Sequence, residues 1–304
     1  MIDTLDLEKL DTRNEAELAR LQRAVKDVGL LCVSNTGLDK ARVERVLSEY
    51  RAFFHLSEAE KRRVDMAKTG ANRGWGASRS EQVDPSANPD FKEVFDCGYE
   101  LAVGDPYASR GLSVYAPNLW PQSPSGFRDT IQDYYDDACA VALRILRAIA
   151  AALGRDANSF DAAFDTPMAL LRGNFYPQRP AWAGALDFGI GAHTDYGCLT
   201  LLATDGTPGL EAQLPDGNWA EVRAEPGTFI INFGEMLEFW TEGQVKATMH
   251  RVVGGAEERL SIPLFFNPSY DTNVAPPDSD QMISAGEHLT RRFNETYIHL
   301  KTAS

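Results

Sequence analysis

The chain has 304 residues, a formal charge of -14, 43% hydrophobic and 24% charged side chains. This balance excludes a disordered or fibrous chain and leaves room for one or two domains with a sizeable core. The single-sign acidic excess argues against nucleic acid and against an anionic membrane as partners, which leaves a small molecule as the expected one.

Residues 14–28 read as a helix, "LLCVSN" (30–35) as a short buried strand and residues 39–54 as a second helix. Ser57 and Glu60 stand at capping-box spacing, so a third helix is expected to start there. From 68 to 125 the chain is rich in Gly, Pro and Ser loops, with "FKEVFDCGYEL" (91–101) as a candidate strand. Phe127, Ile131, Tyr134, Ala138, Val141, Ile145 and Ile149 recur at three- and four-residue steps and predict a helix ending near Gly154. From about 168 the period changes to two. "ALLRGNFY", "CLTLLAT", "LEAQL", "WAEVRA", "TFIINFG", "ATMHRVV" and "LSIPLFFN" read as strands, with "PDGN" (215–218) as a hairpin turn. A last helix is expected over 284–301, with Leu289, Phe293, Tyr297 and Leu300 on one stripe. The pattern predicts a mainly β sandwich or barrel with flanking helices, organised as one catalytic unit. Its expected parts are a helix-rich segment (1–165), a β core (166–270), and a lid loop with the last helix (271–304).

Cys32, Cys97, Cys139 and Cys198 are scattered and form no CxxC pair. They suit neither a disulfide framework nor a thiolate metal site, and reduced thiols in a cytoplasmic protein are the simplest expectation. The N-terminus shows no signal-peptide pattern, and no apolar run reaches bilayer-spanning length.

The chemistry-bearing residues are few. Of five histidines, His55, His288 and His299 read as ordinary surface or interface residues. His193 opens the strand-like run "HTDYGCLTLL", and alternation along that run would place Asp195 on the same face. A strand-borne histidine alone is usually a satisfied core residue; His250 in "ATMHRVV" changes the balance. Two imidazoles and one carboxylate make a facial triad, the set expected for non-haem Fe(II). Arg259 and Ser261 share a strand face and could grip a carboxylate, either a buried acidic side chain or a dianionic cosubstrate. In "RGNFYPQ", Asn174 and Tyr176 share a face; the phenol could donate to that same carboxylate or simply be core.

Taken in order, "NFYP", "HTD", "MHRV" and "RLS" resemble the isopenicillin N synthase-like branch of the Fe(II)/2-oxoglutarate-dependent oxygenases. "VGLLCVSNTGL", "FFHLSEAEKRRV", "DFKEVFDCG", "GTFIINFGEMLEFWTEGQVKATMHRVV" and "IPLFFNPSYDTNVAP" extend the likeness over nearly the whole chain. Phe175 stands where that family often has Tyr. The resemblance implies a distorted double-stranded β-helix, or jelly-roll, with Fe(II) held by His193, Asp195 and His250 inside one end. It implies that Arg259 and Ser261 bind the distal carboxylate of 2-oxoglutarate, with Tyr176 as a third contact and Asn174 near the metal. It implies an enzyme that uses O2 to oxidise a C–H bond by hydroxylation, desaturation or cyclisation, releasing succinate and CO2. A loop carrying Arg73, Trp75 and Arg79 is expected over the mouth, Phe266 toward the pocket, and 267–280 as a lid. Two other readings stay open: an oxidase of the same fold that uses no 2-oxoglutarate, and a non-catalytic jelly-roll that only binds a ligand.

Overall fold

The structure, a computed structural model, describes residues 2–276 and 279–296. The chain opens with β1 (Thr4–Asp6), α1 (Leu7–Asp11), α2 (Glu15–Asp27), β2 (Leu30–Ser34), α3 (Lys40–Phe54) and α4 (Glu58–Lys61). Next come β3 (Gly74–Gly76), β4 (Glu93–Gly98), the long α5 (Phe127–Ala152), β5 (Leu170–Tyr176), β6 (Ile190–His193) and β7 (Leu199–Thr204). It closes with β8 (Leu210–Gln213), β9 (Trp219–Glu221), β10 (Phe229–Phe233), α6 (Glu235–Trp240), β11 (His250–Val252), β12 (Arg259–Phe266) and α7 (Ala285–Thr296). The helix starts follow the chemistry of their caps. The Asn14 and Asp39 side chains accept the backbone N–H groups of Glu17 and Arg42, and Ser57 with Glu60 forms the expected capping box.

The strands form two sheets, ordered β1-β2-β10-β7-β12-β5-β4-β3 and β6-β11-β8-β9. Together they are the jelly-roll core. The 1–165 segment does more than wrap that core with helices. It supplies β1 and β2 at one edge of the large sheet and β4 and β3 at the other. The "PDGN" turn joins β8 to its antiparallel partner β9, as expected. Not foreseen were β1, α1, β3, β6 and α6, each six residues or fewer and too short to show a period. Tyr297, His299, Leu300 and the expected end of the last helix lie outside the described residues.

The large sheet has two chemically different faces. On the outer face Leu199, Leu201, Leu260, Ile262, Leu264 and Leu171 are buried in one continuous core with α3 and α5. The α5 stripe predicted from its spacing is the stripe that packs there. Backbone and helix approach so closely that a Cβ at Gly173 would stand 2.3 Å from the Tyr50 ring. The inner face faces the small sheet. Leu202 and Ile230 there join Leu210, Ala212 and Val252 in a second, smaller apolar cluster. The same inner face carries the polar residues. Arg259 and Ser261 of β12 pair in register with Tyr176 and Asn174 of β5, and Val94 and Asp96 of β4 pair with Asn174 and Arg172.

Candidate metal centre and cavity

His193 ends β6 and His250 begins β11, and the two residues are register partners with ring centroids 4.3 Å apart. Asp195 reaches them by a route that differs from the expected alternation. The strand stops at His193, and residues 194–198 form a turn before β7. That turn folds the carboxylate back. Thr200 Oγ1 donates to Asp195 Oδ2 at 2.6 Å, and the Glu235 N–H donates to the Asp195 carbonyl at 2.8 Å. One ligand atom from each of His193, Asp195 and His250 lies within 4.8 Å of the others.

Both rings are oriented from behind. His193 Nδ1 lies 2.8 Å from the Gly191 carbonyl and His250 Nδ1 lies 3.0 Å from the Thr248 carbonyl. A carbonyl only accepts, so each Nδ1 carries the proton and each Nε2 is left with a lone pair. His250 Nε2 stands 3.8 Å from Asp195 Oδ1. Burial, and the nearby His250, push the His193 pKa down to about 3, which keeps this ring neutral and able to ligate. Gly234 backs the turn: a Cβ there would stand 2.2 Å from the Gly197 carbonyl oxygen. Two imidazoles and a carboxylate on one side of a point, with no thiolate among them, fit Fe(II) with coordination positions left open.

On the inner face of the large sheet, opposite the small sheet that carries the two histidines, lies a second unusual group. Arg259 is only 4% exposed. Its Nε donates to the Thr207 carbonyl at 3.2 Å, and its guanidinium lies 5.1 Å from the centre of the Tyr176 ring. Its Nη1 is buried and has no partner among the described residues. The bond that the guanidinium makes goes to a backbone carbonyl rather than to a carboxylate. A buried, half-used cation beside Ser261, Tyr176 and Asn174 fits the carboxylate of a bound acid.

Comparison with known proteins agrees with this chemistry. Residues 2–123 match the family described as non-haem dioxygenase in morphine synthesis N-terminal, and residues 167–268 match the 2OG-Fe(II) oxygenase superfamily. A homoarginine-6-hydroxylase of Glycine max is 31% identical over 298 residues, covering 92% of this chain and 89% of that protein. The chain belongs to the 2-oxoglutarate-Fe(II) oxygenase superfamily. A 2-oxoglutarate-Fe(II) type oxidoreductase of Aspergillus fumigatus is also 31% identical, covering 86% and 80% of the two chains. A full-length Neurospora crassa protein crystallised in complex with alpha-KG and thymine superposes with a TM-score of 0.84 at 28% identity, covering 97% of this chain and 96% of that one. This protein is thus an Fe(II)- and 2-oxoglutarate-dependent dioxygenase.

The oxygenase has a cavity of about 370 Å³ that reaches His193, Asp195 and Asn174. Leu289 and Phe293 of α7 form part of its wall. Asn267, the first residue of the segment expected as a lid, sits beside the metal turn, its Oδ1 accepting the Cys198 N–H at 2.9 Å. His288, expected at the surface or an interface, is 8% exposed, and its Nε2 lies 2.9 Å from the Tyr196 carbonyl.

Several expected substrate contacts lie elsewhere. Phe266 points to the outer face and stacks on Phe164 with centroids 4.7 Å apart; strand alternation puts Phe265 in the cavity wall instead. Trp75 is 2% exposed and donates its indole N–H to Glu93 at 2.7 Å, away from the cavity. Arg79 lies over the exposed Trp182, 4.9 Å from its ring centre. Arg73 does border the cavity, but all three of its nitrogens donate to backbone carbonyls, those of Ala116, Asn72 and Val114. What the sequence reading missed is ionic. Glu81, Lys92 and Arg172 line the cavity although each is at most 4% exposed. Arg172 and Lys92 were within reach of the alternation argument, Arg172 two residues before Asn174 on β5 and Lys92 two residues before Val94 in the strand expected over 91–101; Glu81 carries no periodic signal.

Proposed function

We propose that this oxygenase holds Fe(II) through His193, Asp195 and His250, and 2-oxoglutarate through Arg259, Ser261 and Tyr176, with Asn174 beside the metal. The small molecule to be oxidised occupies the cavity next to that site. When bound, the ferrous ion with 2-oxoglutarate and O2 supplies the oxidising power for C–H oxidation, with succinate and CO2 as coproducts. The protein's own residues supply the rest. The Gly191 and Thr248 carbonyls fix the imidazoles, and Thr200 holds one carboxylate oxygen of Asp195 so that the other faces the rings. Arg259 offers a charged donor to the distal carboxylate of the cosubstrate. Phe265, Leu289 and Phe293 give the cavity an apolar lining beside the metal ligands. Hydroxylation is the outcome we favour, because the Glycine max relative is named as a hydroxylase.

The observation that carries this assignment is Arg259, buried, with an unpartnered Nη1 on the sheet face that leads to the triad. Such a group fits the distal carboxylate of 2-oxoglutarate. Anaerobic titration of 2-oxoglutarate into the Fe(II)-loaded protein, followed by its visible absorption, is the test. A saturable band and 2-oxoglutarate-dependent succinate release are expected; tight iron binding with neither would refute it. The four unpaired cysteines support a reducing, cytoplasmic setting. Among the described residues no helix is long and apolar enough to cross a membrane.

A further inference from the structure

One wall of the cavity is a buried ion cluster that the iron and 2-oxoglutarate assignments leave unused. Glu81, Asp90, Lys92, Asp96 and Arg172 are each 4% exposed or less. Arg172 binds both Asp96 oxygens, Nε to Oδ1 at 2.7 Å and Nη2 to Oδ2 at 2.6 Å. Its Nη1 reaches Glu81 Oε2 at 2.9 Å, and Lys92 Nζ reaches that same oxygen at 2.7 Å. Lys92 also pairs with Asp90 Oδ2 at 3.4 Å, while Asp90 Oδ1 accepts the Gly191 N–H at 3.1 Å. Three carboxylates therefore share two cations. Both cations meet Glu81 on one oxygen, and Glu81 Oε1 is left buried with no partner among the described residues.

An acceptor in that state is costly unless something else donates to it. Two further side chains of the cavity wall repeat the pattern, since Asn72 Oδ1 and Asn174 Oδ1 are also buried without partners. Every unpartnered buried side-chain atom on this wall, among the described residues, is thus an acceptor. An amide can turn to present a donor; an ionised carboxylate cannot. Burial alone would raise the Glu81 pKa, but Arg172 and Lys92 outweigh it and hold the group at about 2. The cluster also touches β6 through the Asp90–Gly191 bond, and the Gly191 carbonyl is the one that orients His193.

We infer that Glu81 determines specificity, and that the substrate is a nitrogen-containing small molecule that donates an N–H to Glu81 Oε1. This rests on the oxygenase reading above and names the substrate class of the same cavity. The chemistry could come from a protonated amine or guanidinium, or from the ring N–H of a neutral lactam.

The test separates these sources from each other and from the oxygenase reading. Binding to the metal-free protein is measured by calorimetry for matched probes: agmatine, uracil, 1,3-dimethyluracil and hexanoate. At least one N–H probe is expected to bind about tenfold or more tightly than both the N-methylated pyrimidine and the carboxylate. Preference for agmatine identifies a cationic donor, and preference for uracil a neutral one. Glu81→Gln is expected to shrink the ratio between the preferred probe and 1,3-dimethyluracil by about tenfold, whereas a merely structural role would weaken both together. Equal or better binding of the N-methylated or carboxylate probe, no binding of either N–H probe, or an unchanged ratio in a folded Glu81→Gln protein would overturn the inference. Should that variant not fold, the wild-type ratios alone decide. Succinate release by the wild-type protein is read separately. If it fails while the N–H preference holds, the oxygenase reading falls and the donor preference stands.

Discussion

Replacing Arg259 with Met separates a ligand-binding role from a structural one, because the first lowers affinity and nearly spares the unliganded fold while the second does the reverse. The change keeps a long apolar stem and removes the guanidinium. In the absence of ligand the variant loses the Thr207 hydrogen bond, worth about 1 kcal/mol, and the stacking on Tyr176, worth roughly 0.5–2 kcal/mol. Against this, the variant no longer buries an unpartnered Nη1, which costs about 1–3 kcal/mol, nor a desolvated charge. The terms nearly cancel, so the unliganded variant should unfold in urea at a stability no lower than wild type by more than about 1.5 kcal/mol. Binding behaves differently. A charge-assisted contact to a carboxylate is worth roughly 1.5–3 kcal/mol, so the Kd for 2-oxoglutarate should rise about 10- to 150-fold. Linkage gives a second reading. At a concentration one hundred times its Kd, 2-oxoglutarate should stabilise the Fe(II) wild-type protein by about 2.7 kcal/mol; a hundredfold-weaker variant gains only about 0.4 kcal/mol. Anaerobic calorimetry and urea melts with and without the acid measure both. A variant that keeps wild-type affinity, or that loses more than about 3 kcal/mol without ligand, would show that the guanidinium serves the fold rather than the cosubstrate.

Thr200→Val removes the 2.6 Å bond to Asp195 Oδ2 without touching a ligand, and metal affinity should fall about 10- to 100-fold in chelator competition; unchanged affinity would refute the orienting role. Phe266→Ala should cost about 3–5 kcal/mol of stability and leave the substrate KM alone, because the ring packs on Phe164 outside the cavity. Phe265→Ala should instead change KM, so a reversed pattern in steady-state kinetics would contradict the strand register. Burial raises the Cys32 thiol to about 11 and pushes Cys97 and Cys198 higher still. At pH 8 a disulfide reagent should therefore label these three only as fast as the protein unfolds; rapid labelling in buffer would disprove their burial.

How much of this was legible in the sequence depends on how local each signal is. The period-two pattern of β5, β7, β10 and β12 is local. It places Arg259 beside Ser261 and Asn174 beside Tyr176, and pairing then brings the two couples together. The α5 stripe is local in the same way. Alternation also assigned Phe265 rather than Phe266 to the polar face, so the expectation of Phe266 in the pocket went against the stronger physical rule. His193 and Asp195 are a different case. Their spacing suggested convergence through a strand, yet the strand ends at His193 and a hydrogen-bonded turn makes the approach. Two residues apart is compatible with both geometries, and only the Thr200 and Glu235 contacts decide between them.

The ion cluster was illegible for a deeper reason. Glu81 looks like a solvated charge in an irregular stretch and Lys92 like one at the start of an expected strand, and only the third dimension buries them in one cluster with Arg172. A chain that places five charged groups out of water beside a cavity bears a desolvation cost that hydrophobic packing would avoid. Asp96 uses both oxygens on Arg172, and Asp90 uses both on Lys92 and Gly191, so those two carboxylates are spent inside the cluster. Glu81 is not: its Oε1 has no partner among the described residues. That asymmetry points to recognition rather than to stability. A cluster kept only to hold β4 against β5 would have no reason to crowd two cations onto one oxygen of a cavity-lining carboxylate and leave the other, among the described residues, buried without a partner.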